Sequence, residues 1–257
     1  QRFAPVTGSN RAELPLDIVQ IDHTPADIIL VDSFERKPIG RPWVTLAIDI
    51  ATRLVTGYYV SFEAPSRLSI ALCLTRAVAP KAELLADLES TAEWPAQGKP
   101  RSIHVDNGSD FQSRVFKGAC AEWGIDLRYR PPGSPHFGGH IERLIGTMME
   151  AVHLLPGTTQ SSVAAKGSYD AEAMATMTLS EFDSWFALEI CRYNNSIHSS
   201  LGCTPVAKWE ALSGEMAGDI PFDMEAFRVS FLPSELRQVR RDGIHLFDLR
   251  YWSDALA

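Results

Sequence analysis

The chain is 257 residues long, enough for one large domain or for one domain with a small appendage. Its 45% hydrophobic and 22% charged content is that of an ordinary globular protein, with no apolar run near the roughly 20 residues of a membrane span and no basic-then-apolar secretory signal at its start. A formal charge of −8 argues against a free-standing nucleic-acid binder, which is usually basic, but it suits a site built from clustered carboxylates.

The polar opening QRFAPVTGSNR lacks an initiator Met, and residues 1–13 read as a linker inside a longer protein. Leu16 to Thr24 then reads as a β-rich run, Trp43 to Ile50 as a second strand and Leu54 to Phe62 as a third, joined by the turn Ala51-Thr52-Arg53. Ser66 to Ala79 has helical spacing, with Ser66 as cap; Lys81 to Glu93 is helix or loop, broken from Pro95 onward. Ser102 to Asp106 is a fourth strand, Ser113 to Trp123 a helix and Ile125 to Arg130 a fifth strand. After the stiff Pro131-Pro132-Gly133-Ser134-Pro135 and Gly138-Gly139, a helix runs from His140 to about Leu155, with Ile141, Leu144, Ile145, Met148 and Val152 on one face. Ser180 to Asn194 is helical, and Thr204-Pro205 caps and opens another helix through Leu212. Beyond Gly214 come β-like runs at Phe227 to Leu232, Arg237 to Arg241 and Ile244 to Tyr251. The order predicts an α/β fold: a mixed five-stranded sheet flanked by helices, as in the ribonuclease H-like architecture.

Cys73, Cys120, Cys191 and Cys203 are scattered, without a C-x-x-C pair, and read as reduced, mostly buried thiols. Three acids fall where the predicted fold would converge them: Asp22 at the end of the first strand, Asp106 at the end of the fourth, and Glu142 on the helix after the fifth, with 35 residues between the last two. Hard oxygen ligands suit Mg²⁺ or Mn²⁺. Two such ions roughly 3.5–4 Å apart clamp the attacking and leaving oxygens of an in-line phosphoryl transfer. Each acid has a plainer reading: Asp22 as a strand-end residue bonding local amides, Asp106-Asn107-Gly108 as a turn, Glu142 as a first-turn glutamate favoured by the helix dipole. Asp49 reads as a structural turn or ion-pair acid, and His104 as a packed strand residue.

The strings Asp22-His23-Thr24, Asp106-Asn107-Gly108-Ser109-Asp110-Phe111 and Pro135-His136-Phe137-Gly138-Gly139-His140-Ile141-Glu142-Arg143 resemble the three catalytic motifs of the D-D-E transposase and retroviral integrase superfamily. Within it the chain is most similar to bacterial transposases related to that of bacteriophage Mu. Leu154-Leu155-Pro156-Gly157-Thr158-Thr159 and the run from Arg192-Tyr193-Asn194 through His198 and Leu201-Gly202-Cys203-Thr204-Pro205 to Trp209 carry that second likeness, which spans roughly residues 14 to 212. The resemblance implies an integrase-type catalytic core at 14–214 and the beginning of a C-terminal β-barrel at 215–257.

It further implies Asp22, Asp106 and Glu142 as catalytic residues and as ligands of two Mg²⁺ or Mn²⁺ ions. DNA at the transposon ends and target, a homo-multimer on DNA and an ATPase for target selection would be partners, with no membrane. Such a protein would work in the bacterial cytoplasm. Metal-activated water would cut one strand and the freed 3′-OH would attack target DNA, so no Ser or Tyr nucleophile is assigned. His136, His140 and Arg143 are candidate DNA contacts beside the acid, and Arg237, Arg240 and Arg241 are candidates in the tail; a solvated strand face is the plainer reading of those three. Two other functions remain open: a nuclease of the same fold that only hydrolyses, and a non-catalytic DNA-binding or assembly module, which would be expected to lack one acid.

Overall fold

The central strand is β1, Ile18–Pro25, and the computed structural model arranges the main sheet around it in the order β5-β4-β1-β6-β7. Residues 12–106, 113–130, 138–159, 169–214, 223–233 and 237–256 are described. β4 (Trp43–Asp49) runs antiparallel to β1, and β5 (Val55–Ser61) antiparallel to β4; β6 (Ser102–Val105) and β7 (Asp126–Tyr129) run parallel to β1. The mixed five-stranded sheet of the sequence reading is therefore present. Successive residues of β1 and β4 are buried, Ile18 to Ile21 and Val44 to Asp49. Side chains alternate between faces along a strand, so cover must lie on both sides of the sheet.

Helices supply that cover, and their caps are legible in the sequence. Ser66 caps α1 (Arg67–Val78) in a reciprocal box with Ser69, and Ser113 caps α3 (Arg114–Glu122). Between them lies the short α2, Ala82–Asp87. α4 (Gly139–Val152) buries Ile141, Leu144, Met148 and Val152 and packs on β1 and β4. Thr178 and Glu181 form the box that starts α5, Leu179–Asn194, and Thr204 with Pro205 starts α6, Pro205–Ser213. A short antiparallel pair, β2 (Leu30–Val31) with β3 (Pro38–Gly40), has no counterpart in the sequence reading.

The tail requires a correction. Phe227 to Leu232, read as β-like, belongs instead to α7, Met224–Phe231, which Asp223 caps by accepting from the Ala226 amide at 2.8 Å. Phe227 and Phe231, one helical turn apart, are fully buried: Phe227 meets Trp123 edge-on at 5.2 Å between ring centroids, and Phe231 meets Phe116 at 5.6 Å. That aromatic contact outweighs the β preference of the segment's Val and Phe. Within the run Arg237 to Arg241, Arg240 forms an isolated β-bridge to Gly243. Ile244 to Tyr251 does form strands, β8 (Ile244–Leu246) and β9 (Leu249–Tyr251), a two-stranded hairpin.

Asp49, the fourth acid, is structural. Fully buried, it accepts from the Leu16 and Thr52 amides, each at 2.8 Å, and from the Thr52 hydroxyl at 2.6 Å, closing the β4–β5 turn against the approach to β1. Burial pushes its carboxyl up to about 6 despite those donors. All four cysteines are free thiols, three of them buried.

Gly57 lets α1 lie directly on β5: a Cβ there would fall 2.6 Å from the Ala77 amide nitrogen and 2.7 Å from its Cα. Because the obstacle is backbone, Gly57→Ala must push the helix away. We expect it to destabilise the protein by roughly 2 kcal/mol in chemical denaturation; an unchanged midpoint would contradict this packing.

Candidate active site

β1 and β6, the strands that lead to the first two acids, are parallel neighbours. Ile18 pairs with Ser102, Val19 with Ile103 and Gln20 with His104. The ladder ends there: Asp22 lies two residues further along β1, and Asp106 is the residue after β6. Glu142 arrives from α4, in whose first turn it lies. Gln20, buried on β1 two residues before Asp22, accepts from the Ile141 amide at 3.4 Å and so ties the start of α4 to the strand that carries the first acid.

An arginine links two of the acids. Arg130, the residue after β7, sends Nη2 to Asp22 Oδ2 at 3.1 Å and Nη1 to Glu142 Oε1 at 3.8 Å. Its side chain and that of Asp22 are largely buried, whereas Glu142 is half exposed. The other Asp22 oxygen accepts from the His23 amide at 2.8 Å. Gly138 leaves room for the arrangement: a Cβ there would fall 2.5 Å from Glu142 Oε1 and 2.6 Å from Arg130 Nη1.

Among the described residues no group of three or more His, Cys, Asp or Glu side chains is close enough to hold a metal ion. The carboxylates nevertheless fit one in kind. They are all-oxygen donors, the set that Mg²⁺ and Mn²⁺ prefer, and two of them already share a single cation, the guanidinium of Arg130. Arg130 and Gln20 have no place in the sequence reading. Gln20 could have been found, since it lies on the same face of β1 as Asp22. Nothing local marks Arg130, which meets Asp22 across 108 residues of chain.

The remaining candidates fall in three places. His136 and the residues Asn107 to Phe111 lie outside the described residues. His140 and Arg143 flank Glu142 on α4 and line a cavity of about 280 Å³ together with Arg53, Tyr193, Ser196 and His198. Burial, with the nearby Arg53, Arg143 and His198, pulls His140 down to about 4. Arg237, Arg240 and Arg241 are exposed on the segment before the β8–β9 hairpin, away in sequence from all three acids. His104 is buried, as a packed strand residue should be, and burial lowers it to about 4.

The motif around Tyr193 is partly architectural. Asn194, fully buried at the end of α5, accepts from the Val55 amide at 2.9 Å and donates to the Val55 carbonyl at 3.3 Å, clamping α5 to β5. Tyr193 meets His198 edge-on, with 6.1 Å between ring centroids.

Residues 20–157, more than half of the chain, match the TnsB C-terminal domain family. The chain belongs to that family. Residues 228–257 match a second family, Mu transposase, C-terminal. Two curated relatives agree with the assignment. The transposase for transposon Tn552 of Staphylococcus aureus is 30% identical over 239 residues, 92% of this chain and 46% of the relative. The transposon Tn7 transposition protein TnsB of Escherichia coli is 27% identical over 95% of this chain and 37% of the relative. The chain thus spans less than half the length of either.

The family's fold has a solved likeness. A chain of the simian T-cell lymphotropic virus intasome in complex with PP2A regulatory subunit B56 gamma aligns with 83% of this chain and 60% of its own, at 17% identity and a TM-score of 0.51. The fold is therefore the ribonuclease H-like one of integrase catalytic cores, as the sequence reading expected. Among the described residues no helix is long and apolar enough to cross a membrane.

The guanidinium of Arg130 and a divalent ion would compete for the same carboxylate oxygens. We expect Arg130→Gln to bind Mn²⁺ roughly tenfold more tightly in isothermal titration, equivalent to about 1.4 kcal/mol. Equal or weaker binding would mean that Arg130 assists the metal instead of standing in for it.

Proposed function

We propose that this chain is the catalytic part of a D-D-E DNA transposase, which cuts DNA at the transposon ends and transfers the freed 3′-OH into a target strand. The observation that carries the reading is the meeting of Asp22 and Glu142 on one cation, with Asp106 leading off the neighbouring parallel strand. The three acids would hold two Mg²⁺ or Mn²⁺ ions. Bound there, the ions would lower the pKa of water and neutralise charge on the phosphate being transferred.

The chain's own part is positioning. β1 and β6 are hydrogen-bonded strands, so the segments leading to Asp22 and Asp106 are held to one another, and Gln20 ties the start of α4 to β1. Glu142, more exposed than Asp22, is the acid with most freedom to swing onto an ion. Arg130 screens the repulsion between Asp22 and Glu142, and with metal held by those acids its guanidinium would be available to phosphate. Attack by water or by a 3′-OH needs no covalent protein–DNA intermediate, so no Ser or Tyr nucleophile enters.

Two further expectations belong to the same reading. A transposase must hold two ends at once, which calls for a multimer on DNA, and an ATPase for target selection would be a partner. The site of action would be the bacterial cytoplasm, where the DNA is.

The decisive assay uses the full-length protein with Mn²⁺ and DNA carrying transposon ends, intact or already cut. Asp106→Asn should lower both end cleavage and strand transfer from pre-cut ends by roughly a thousandfold or more, with unchanged circular dichroism. Full activity in that variant would refute the assignment. Cleavage without strand transfer by the wild type would make the protein a hydrolytic nuclease, and DNA binding with neither reaction a non-catalytic module.

A further inference from the structure

The cavity beside α4 is lined by arginines and hydrogen-bonding side chains. His140, Arg143 and Leu144 come from one face of α4, Arg53 from the β4–β5 turn, and Tyr193, Ser196 and His198 from the end of α5 and the turn after it. No carboxylate lines it. Arg192, at its edge, is already committed to Glu189, to which its Nε donates at 2.8 Å. The other two guanidiniums are not: among the described residues neither Arg53 nor Arg143 makes an ion pair. Asp49, four residues before Arg53, attracts it electrostatically without an ion-pair contact and already takes three hydrogen bonds from Leu16 and Thr52.

The conformation of Arg53 strengthens the point. Its φ is +62°, a left-handed backbone unusual for a residue with a side chain, and its guanidinium donates to the Ile50 carbonyl. The turn therefore holds the cation against the cavity wall, partly buried, where burial lowers its pKa. Burial together with Arg53 and Arg143 also lowers His198. At neutral pH that leaves a neutral imidazole, the Tyr193 hydroxyl and the Ser196 hydroxyl as hydrogen-bonding groups around two cations. Two guanidiniums facing one cavity repel each other, and an anion with several acceptor oxygens removes the repulsion and satisfies both forks.

We propose that this cavity is a phosphate pocket that grips one backbone phosphodiester of the bound DNA strand, holding the strand in register as it crosses α4 to the acids. The inference rests on the transposase reading and deepens it. Arg143 immediately follows Glu142, so a strand anchored here is fixed directly beside the reacting centre. Arg53 and His198 are added to the DNA contacts that the sequence suggested, and both come from elements far from α4 in the chain. The pocket reads no base, so its contribution is independent of DNA sequence.

The test is a fluorescence-anisotropy titration of the full-length protein with labelled transposon-end duplex over a range of salt, comparing wild type, Arg143→Gln, Arg53→Gln and Lys117→Gln. Lys117, exposed on α3, controls for simple loss of charge. Each arginine variant should weaken binding about tenfold, equally for end and unrelated DNA, and reduce the slope of log K against log salt by about one. Inorganic phosphate is titrated separately, followed by Tyr193 fluorescence in a Tyr193→Phe difference experiment; the proposal expects only millimolar affinity.

Arginine variants that match wild type in both affinity and salt slope, or a Lys117→Gln effect of equal size, would overturn the pocket. Micromolar phosphate binding that duplex DNA does not displace would also overturn it, in favour of a free-phosphate site. Mn²⁺ titration of the same variants separates this failure from that of the parent reading: with Mn²⁺ binding and end cleavage retained, the transposase assignment stands and only the pocket falls. Wild-type protein that binds no DNA overturns both.

Discussion

Carboxylates gathered in one place repel one another, and positive charge set among them offsets that repulsion. In this chain that charge is the guanidinium of Arg130, set between Asp22 and Glu142. Much of the surrounding architecture serves the meeting. β1 lies at the centre of the sheet, with the Asp22 backbone paired to Leu46 of β4, and β7 ends where Arg130 can reach inward. α4 delivers Glu142 only because its apolar face, from Ile141 to Val152, is seated on β1 and β4. An acid on a strand, an acid on a helix and a cation on a third element thus depend on one packed core.

Much of this was legible from the residues. The strands around Asp22 and Asp106 declare themselves by β-branched runs that stop at polar residues, and the helix of Glu142 by Ile141, Leu144 and Met148 at helical spacing. Ser66, Ser113 and Thr204 announce helix starts because a side-chain oxygen bonding an amide two or three residues ahead is a local event. What was not legible is non-local. The strand reading of Phe227 to Leu232 weighed only the intrinsic preference of Val and Phe, whereas burial of two phenylalanines one helical turn apart, against Trp123 and Phe116, decides for helix. Arg130 looked like an ordinary strand-end residue because its partners lie on other elements. Arg53 looked like a turn residue because the cavity it faces is closed by α4 and α5. The motifs around the three acids are local strings that a sequence displays, whereas Arg130 and Arg53 face groups on other elements.

The two sets of charge also make a net charge of −8 compatible with the proposed action on DNA. Overall sign governs long-range attraction, but a strand is held by cations at particular positions. Here the positive groups are placed locally, Arg130 among the acids and Arg53 with Arg143 across α4 from them, while the excess acid is distributed elsewhere over the chain. α4 is the shared element, carrying Glu142 on one side and the pocket residues His140 and Arg143 on another. A small rotation of its first turn would move both together.

The central claim is that Asp22, Asp106 and Glu142 share a divalent metal centre from which Arg130 withdraws. A crystal structure with Mn²⁺, located by its anomalous scattering, tests this most directly. The account predicts manganese bound by oxygens of all three acids, with the Arg130 guanidinium no longer between Asp22 and Glu142. Manganese bound elsewhere, or acids still apart with Arg130 in place at saturating metal, would contradict it.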